Sequence, residues 1–197
     1  NSRLGIVSST LCYLDRPEVI QAVGGRYNSW LGTSRHVLEG SLYTPDTHEG
    51  HQHRIDYAVG ASLCVKREVL ATAGLFPEDY FLYFEDLDWA YRVRKTAPQW
   101  QTGYALRSLV LHQEGGSTGA NQSQVKKTTL LADYFYQRNR LRFSKRWHPF
   151  KYPLVHLTQI LVLINRLRRR QWQLSAIALG LLLGWVPNRL KPQLPRD

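Results

Sequence analysis

The chain of 197 residues contains no methionine, not even at position 1. It opens Asn1-Ser2-Arg3-Leu4-Gly5-Ile6-Val7 with no signal peptide, which reads as the middle of a protein entering a strand. A fragment or truncated gene product is therefore expected. Only two cysteines occur, Cys12 and Cys64, without a CxxC or a His/Cys cluster. That excludes a disulfide framework and a zinc module and favours a reducing compartment. Cys64 lies in the apolar run Ala61 to Val65 and reads as core filler. Acidic residues are scarce beyond position 114, where 15 Lys/Arg face 2 Asp/Glu, against 11 facing 13 before it. A near-neutral body thus carries a strongly basic tail suited to an anionic partner: phosphates, nucleic acid or a lipid surface.

What is present is globular, with 43% hydrophobic and 12% aromatic residues. Leu4 to Ser9 reads as a strand, and the chain breaks at Asp15-Arg16-Pro17. Arg26 to Arg54 is polar, irregular and punctuated by glycine, a long loop. Ile55 to Val65 returns to strand character, and Lys66 to Ala73 makes a short helix that Gly74 stops. Asp86 to Lys95 makes a second helix, with Asp88 and Arg92 paired at i,i+4. Tyr104 to His112 reads as a buried strand, and a helix with interleaved aromatic and basic residues runs from Thr128 to about Arg146.

Three constellations carry possible chemistry. In Phe81-Leu82-Tyr83-Phe84-Glu85-Asp86-Leu87-Asp88-Trp89, carboxylates are packed among aromatic neighbours where a helix is about to start. Burial of that kind raises an acid's pKa and suits a general base, although Glu85 and Asp86 also fit a helix cap and first turn. His112 closes a strand ahead of Gly115-Gly116-Ser117-Thr118. The imidazole suits a metal and the loop's N–H groups suit diphosphate oxygens; a lone structural histidine is the alternative. No Gly-Lys-Ser/Thr follows, so this is not a P-loop. Tyr134-Phe135-Tyr136-Gln137-Arg138-Asn139 is either an amphipathic helix with a solvated basic face or an anion contact.

In their order, Gly60-Ala61-Ser62, Gly74-Leu75-Phe76, the Glu85-Asp86 segment, Val110-Leu111-His112 with its Gly-rich loop, and Arg138-Asn139 resemble the second half of a family 2 glycosyltransferase. The likeness is to the rhamnosyltransferase-like members, which have the GT-A fold, and it runs from about Leu4 to Phe143. It implies an α/β fold, a partial GT-A (Rossmann-like) domain lacking its N-terminal nucleotide-binding half, with a C-terminal helical membrane-associating tail. The corresponding stretches are 1–125 for the GT-A half, 126–150 for the basic aromatic helix and 151–197 for the tail. The resemblance makes Asp86 the general base of an inverting transfer, with Glu85 orienting the acceptor or the base. Tyr83, Phe84, Asp88 and Trp89 would contact the acceptor. His112 would help hold a divalent metal, Mg2+ or Mn2+, on the donor diphosphate. Gly115, Gly116, Ser117 and Thr118 would form the loop over the donor, with Arg138 near the diphosphate or acceptor. Implied partners are a nucleotide-diphospho-sugar donor and a glycan or lipid-linked acceptor, in cell-wall or polysaccharide synthesis.

No Asp-x-Asp precedes the Glu-Asp segment, since Asp15, Asp46 and Asp56 are isolated. The 197-residue chain by itself is therefore expected to be inactive. In the tail, Leu174, Ile177, Ala178, Leu181, Leu182 and Trp185 form a helical stripe. Leu174 to Val186 makes roughly 20 Å of helix, too short for a bilayer core of about 30 Å. With Arg166 to Arg170 beside it, the stripe fits an interfacial helix on anionic lipid, or else packs against the rest of the chain. A cytoplasmic protein peripheral on the inner face of the cell membrane is expected. Two other classes are a non-catalytic membrane-associated remnant or adaptor, and a nucleic-acid binder. The latter lacks an RNP or helix-turn-helix signature, so no nucleic-acid partner is expected.

Overall fold

A computed structural model describes residues 3–44, 54–113 and 129–185. It is a mixed α/β structure that forms two compact units.

The first unit comprises Asn1–Tyr27, Ser34–Asp79 and Glu85–Glu114. Its central strand is β1 (Leu4–Tyr13), longer than the apolar run Leu4 to Ser9 because the residues beyond it are also sequestered: Thr10, Leu11 and Cys12 are buried. On one side β1 pairs antiparallel with β2 (Arg16–Ala22) and, further back, with β5 (Leu63–Val65). On the other it pairs parallel with β6 (Gln101–His112). Opposite Ser9 and Thr10 the register jumps from Ala105 to Leu109. The buried Thr10 hydroxyl donates to the Ala105 and Leu106 carbonyls at 3.3 and 3.0 Å and satisfies the looped-out backbone. That bulge brings His112 opposite Tyr13.

Several expectations change here. β6 is not buried: among the described strands it pairs only with β1, so it lies at an edge, and Leu109 and Leu111 are exposed. Cys64 is exposed, not core filler, because in the three-residue β5 it points opposite to the half-buried Leu63 and Val65. The expected loop from Arg26 holds part of a two-stranded ladder, β3 (Gly25–Asn28) and β4 (Thr33–His36). Their four-residue length and lack of apolar alternation hide them from pattern reading. Residues 55–62 mostly do not join the sheet, but Tyr57 bridges to Gly25, whose N–H donates to the Tyr57 carbonyl at 2.9 Å. A Cβ at Gly25 would stand 2.1 Å from the Tyr57 ring, so only glycine fits.

Two helices complete this unit, α1 (Arg67–Ala73) and α2 (Glu85–Thr96). Trp89 and Val93 of α2 and Val69 and Ala73 of α1 share a core with Ile6 and Ala58. The Trp89 indole N–H donates to the Gly74 carbonyl at 2.8 Å, and its ring stacks on Phe76.

The second unit comprises Asn28–Thr33, Tyr80–Phe84 and Gly115–Asp197. Among the described residues three helices form it: α3 (Leu130–Trp147), α4 (Tyr152–Arg168) and α5 (Trp172–Leu183). Thr129 caps α3 by accepting the Ala132 N–H at 3.2 Å. Ile177 of α5 packs on Tyr134 and Phe135 of α3, with Leu174 and Leu181 alongside. The stripe expected to lie on lipid is therefore largely interior, with Ile177 and Ala178 fully buried. No helix among the described residues is long and apolar enough to cross a membrane.

Candidate active site

Asp86 sits in the first turn of α2, beside Glu85. Its Oδ1 accepts the Leu87 N–H at 2.7 Å and its Oδ2 accepts the Gly60 N–H at 3.2 Å. The backbone at Gly60 approaches this carboxylate closely: a Cβ there would meet Asp86 Cβ at 3.7 Å and Glu85 Oε1 at 3.9 Å. Burial, reinforced by the charge of Glu85, pushes the Asp86 carboxyl up to about 7, against the opposing pull of the two N–H donors. Desolvation likewise raises Glu85. Glu85 Oε2 is buried and has no hydrogen-bond partner among the described residues. A buried acceptor of that kind is open to a donor supplied by a ligand, such as a hydroxyl.

The chain reaches α2 through a strained turn. A single turn of 3-10 helix, Glu78–Tyr80, leads into Phe81, Tyr83 and Phe84, three non-glycine residues with φ of 62°, 64° and 71°. Left-handed backbone costs an L-residue roughly 1–2 kcal/mol. Such strain persists only where the surroundings hold it, and it clusters at functional sites. Here the fully buried Asn139 supplies the restraint: its Nδ2 donates to the carbonyls of Tyr80 (2.9 Å), Leu82 (2.6 Å) and Tyr83 (3.0 Å). Phe81 packs on Phe135, while Phe84 meets Tyr136 and Phe143, all from α3. The sequence pattern by itself assigns Asn139 no role. The available signal was an asparagine inside a helix, a position its propensity disfavours unless the side chain has a task.

Of the four expected acceptor contacts, Trp89, Asp88 and Phe84 are buried and Tyr83 is half-buried. Trp89 is 1% exposed and occupied by Gly74 and Phe76, so it offers no face to a sugar. Asp88 is fully buried, with Arg92 Nη2 3.9 Å away, the i,i+4 pair expected from spacing. Phe84 is buried against α3. Tyr83 is half-buried, with its ring edge-on to Tyr136. Tertiary packing absorbs these side chains because the turn and first helical face point inward. Arg138, half-buried on α3, lays its guanidinium over the Phe135 ring at 5.0 Å.

His112 is half-buried at the end of β6, and its Nδ1 is 2.8 Å from Gln21 Oε1 of β2. Gln21, a buried strand residue, was not anticipated as its partner. Among the described residues no group of three or more His, Cys, Asp or Glu converges. His112 is one candidate ligand without companions there. Gly115, Gly116, Ser117 and Thr118 lie outside the described residues.

No family model matches the chain. Over 100 residues, 51% of its length, it is 27% identical to the N-acetylglucosaminyl-diphospho-decaprenol L-rhamnosyltransferase of Mycobacterium tuberculosis strain CDC 1551 / Oshkosh. The same protein of strain ATCC 25618 / H37Rv matches to the same extent. The matched part is 32% of those enzymes, so the chain spans about a third of the length of the curated relatives it matches. The chain is a distant, partial homologue of a rhamnosyltransferase.

Proposed function

We propose that this chain carries the proton-abstracting, acceptor-side part of an inverting glycosyltransferase. The observation that carries the reading is Asp86: a carboxylate held by two backbone N–H groups, with its proton affinity raised to about 7. A base with a pKa near the working pH is the one best matched to general-base catalysis. Deprotonated Asp86 would accept the proton of an acceptor hydroxyl as that oxygen forms its bond to the donor's anomeric carbon. The bond from that carbon to the nucleoside diphosphate breaks, and the diphosphate leaves with the electron pair. Attack from the opposite side inverts the configuration. Glu85, with its buried and unsatisfied Oε2, would receive a hydroxyl of the acceptor and orient it.

The partial homology to a rhamnosyltransferase supports a sugar-transfer reaction. The finer reading is a nucleotide-diphospho-sugar donor and a lipid-linked glycan acceptor, in cell-wall synthesis at the inner face of the cell membrane. It extends to rhamnose as the sugar. A Mg2+ or Mn2+ ion on the donor diphosphate belongs to the same proposal, but the described residues offer it one ligand, so no step is drawn through it.

The test is transfer of labelled sugar to a polyprenyl-diphosphate-linked acceptor by the full gene product carrying these residues. Asp86→Asn should lower kcat by about 10²- to 10⁴-fold, the usual worth of a general base. Its circular dichroism should be unchanged. Transfer at the wild-type rate by a folded Asp86→Asn protein would sink the assignment.

A further inference from the structure

Helix α4 is turned inside out. Its inward face is polar: Gln159 and Arg166 are buried, and Thr158 is half-buried beside Val155. The Gln159 amide donates to Gln137 Oε1 at 2.9 Å, and Arg166 Nη2 reaches Asp133 Oδ1 at 2.5 Å. Arg140 donates to Gln137 and to the Thr158 hydroxyl. The outward face is Leu154, Leu157, Ile160, Leu161, Ile164 and Leu167, with exposures from 42% to 67%. At 3.6 residues per turn these six fall within roughly 140° of arc. A helix of a water-soluble domain has the opposite distribution. On α5, Trp172, Leu179 and Leu183, at i, i+7 and i+11, are also 65%, 40% and 68% exposed. Exposed apolar faces of this extent mark an interaction site.

Charge decides the partner. No Asp or Glu occurs between residues 134 and 185, and the exposed Arg168, Arg169 and Arg170 sit at the corner joining α4 to α5. A second copy of this face would offer the arginines no complementary acid, which disfavours self-association through it. An anionic phospholipid surface satisfies both features: acyl chains for the leucines and headgroups for the guanidinium groups. We propose that the outward faces of α4 and α5 seat this chain in the plane of an anionic bilayer surface, without crossing it. The surface is not the α5 stripe expected from sequence, which is spent on packing against α3.

The experiment is sedimentation of the 197-residue chain with phosphatidylglycerol-rich vesicles and with pure phosphatidylcholine vesicles, at low salt. Binding should be strong to the first and at least an order of magnitude weaker to the second. Replacing Arg168, Arg169 and Arg170 with glutamine should lower partitioning to the anionic vesicles on the order of a hundredfold, from about fivefold per basic residue. Leu157→Glu with Leu161→Glu should abolish binding to both. A readout without any variant is quenching of tryptophan fluorescence by brominated anionic lipid, which Trp172→Phe should weaken. The proposal is overturned by wild-type chain that stays in the supernatant, or that binds the two vesicle types equally. It is equally overturned if light scattering shows a dimer that Leu157→Glu with Leu161→Glu dissociates while vesicles capture neither protein.

Discussion

Asn139 places one amide nitrogen within hydrogen-bond reach of three carbonyl oxygens. Two N–H bonds serve three acceptors, so at least one is shared. The carbonyls also fix the amide's orientation, because a flipped side chain would set oxygen against oxygen. Asn139→Ala removes these bonds and deprives the Leu82 and Tyr83 carbonyls of their amide donor, while Tyr80 keeps the Leu82 N–H. A loss of about 2–4 kcal/mol in unfolding free energy is expected in urea titration. Asn139→Asp should cost at least as much despite its nearly identical shape, since a carboxylate brings acceptors to acceptors. An aspartate variant as stable as wild type would show that packing, not donation, holds the turn. The Glu85-Asp86 pair was legible in the sequence because acids among aromatics are unusual. Its aromatic neighbours Phe84 and Trp89, expected to contact the acceptor, are buried, since a motif records which residues are adjacent but not which way they face.

At the scale of elements, residues 151–197 are legible in the sequence as a helical tail, but the face of α4 that turns inward is not. An apolar stripe states that one face avoids water; it does not state what covers that face. Here α3 presents Asp133, Gln137 and Arg140 towards α4, so the polar side of α4 is the one buried. The Arg166–Asp133 pair is central to this contact. Burial outweighs the neighbouring guanidinium and holds the Asp133 carboxyl above its usual range. Asp133→Ala would strand Arg166 and should cost about 3–5 kcal/mol, whereas Asp133→Leu combined with Arg166→Met should recover most of that loss. Equilibrium unfolding of the two variants checks it, and a double variant as unstable as the single one would contradict it. α5 differs from α4 because its stripe meets Tyr134 and Phe135, which are apolar.

At the scale of the whole molecule, three carboxyls among the described residues have raised proton affinity: Glu85, Asp86 and Asp133. Each binds its proton more tightly when folded than when unfolded. The stability they confer is full below the ordinary carboxylate range and falls as pH rises, for Asp86 up to about 7. His148, lowered by burial and by Lys151, acts in the opposite sense, losing stability as pH falls below its unfolded value. Asp86 titrates across this window in the folded protein, so the urea midpoint should fall between pH 6 and pH 8. Asp86→Asn should flatten that fall, and an unchanged slope in the variant would contradict a raised Asp86 in the folded protein.

The sequence by itself determined the periodicities, the charge asymmetry and the order of Glu85-Asp86, His112 and Arg138-Asn139, because these are properties of linear spacing. It also determined the positions of α1, α2, α3, β1 and β6, where local apolar patterning dominates, but not those of β2, β3 and β4. Only the tertiary structure decided that Asn139 restrains the turn, that Gln21 faces His112, and that Trp89 and Asp88 belong to the interior. It also decided that the water-avoiding surface is the outer side of α4, not the stripe of α5. The reason is physical: a side chain's role follows from what desolvates it and what bonds it, and those neighbours come from elements tens of residues away.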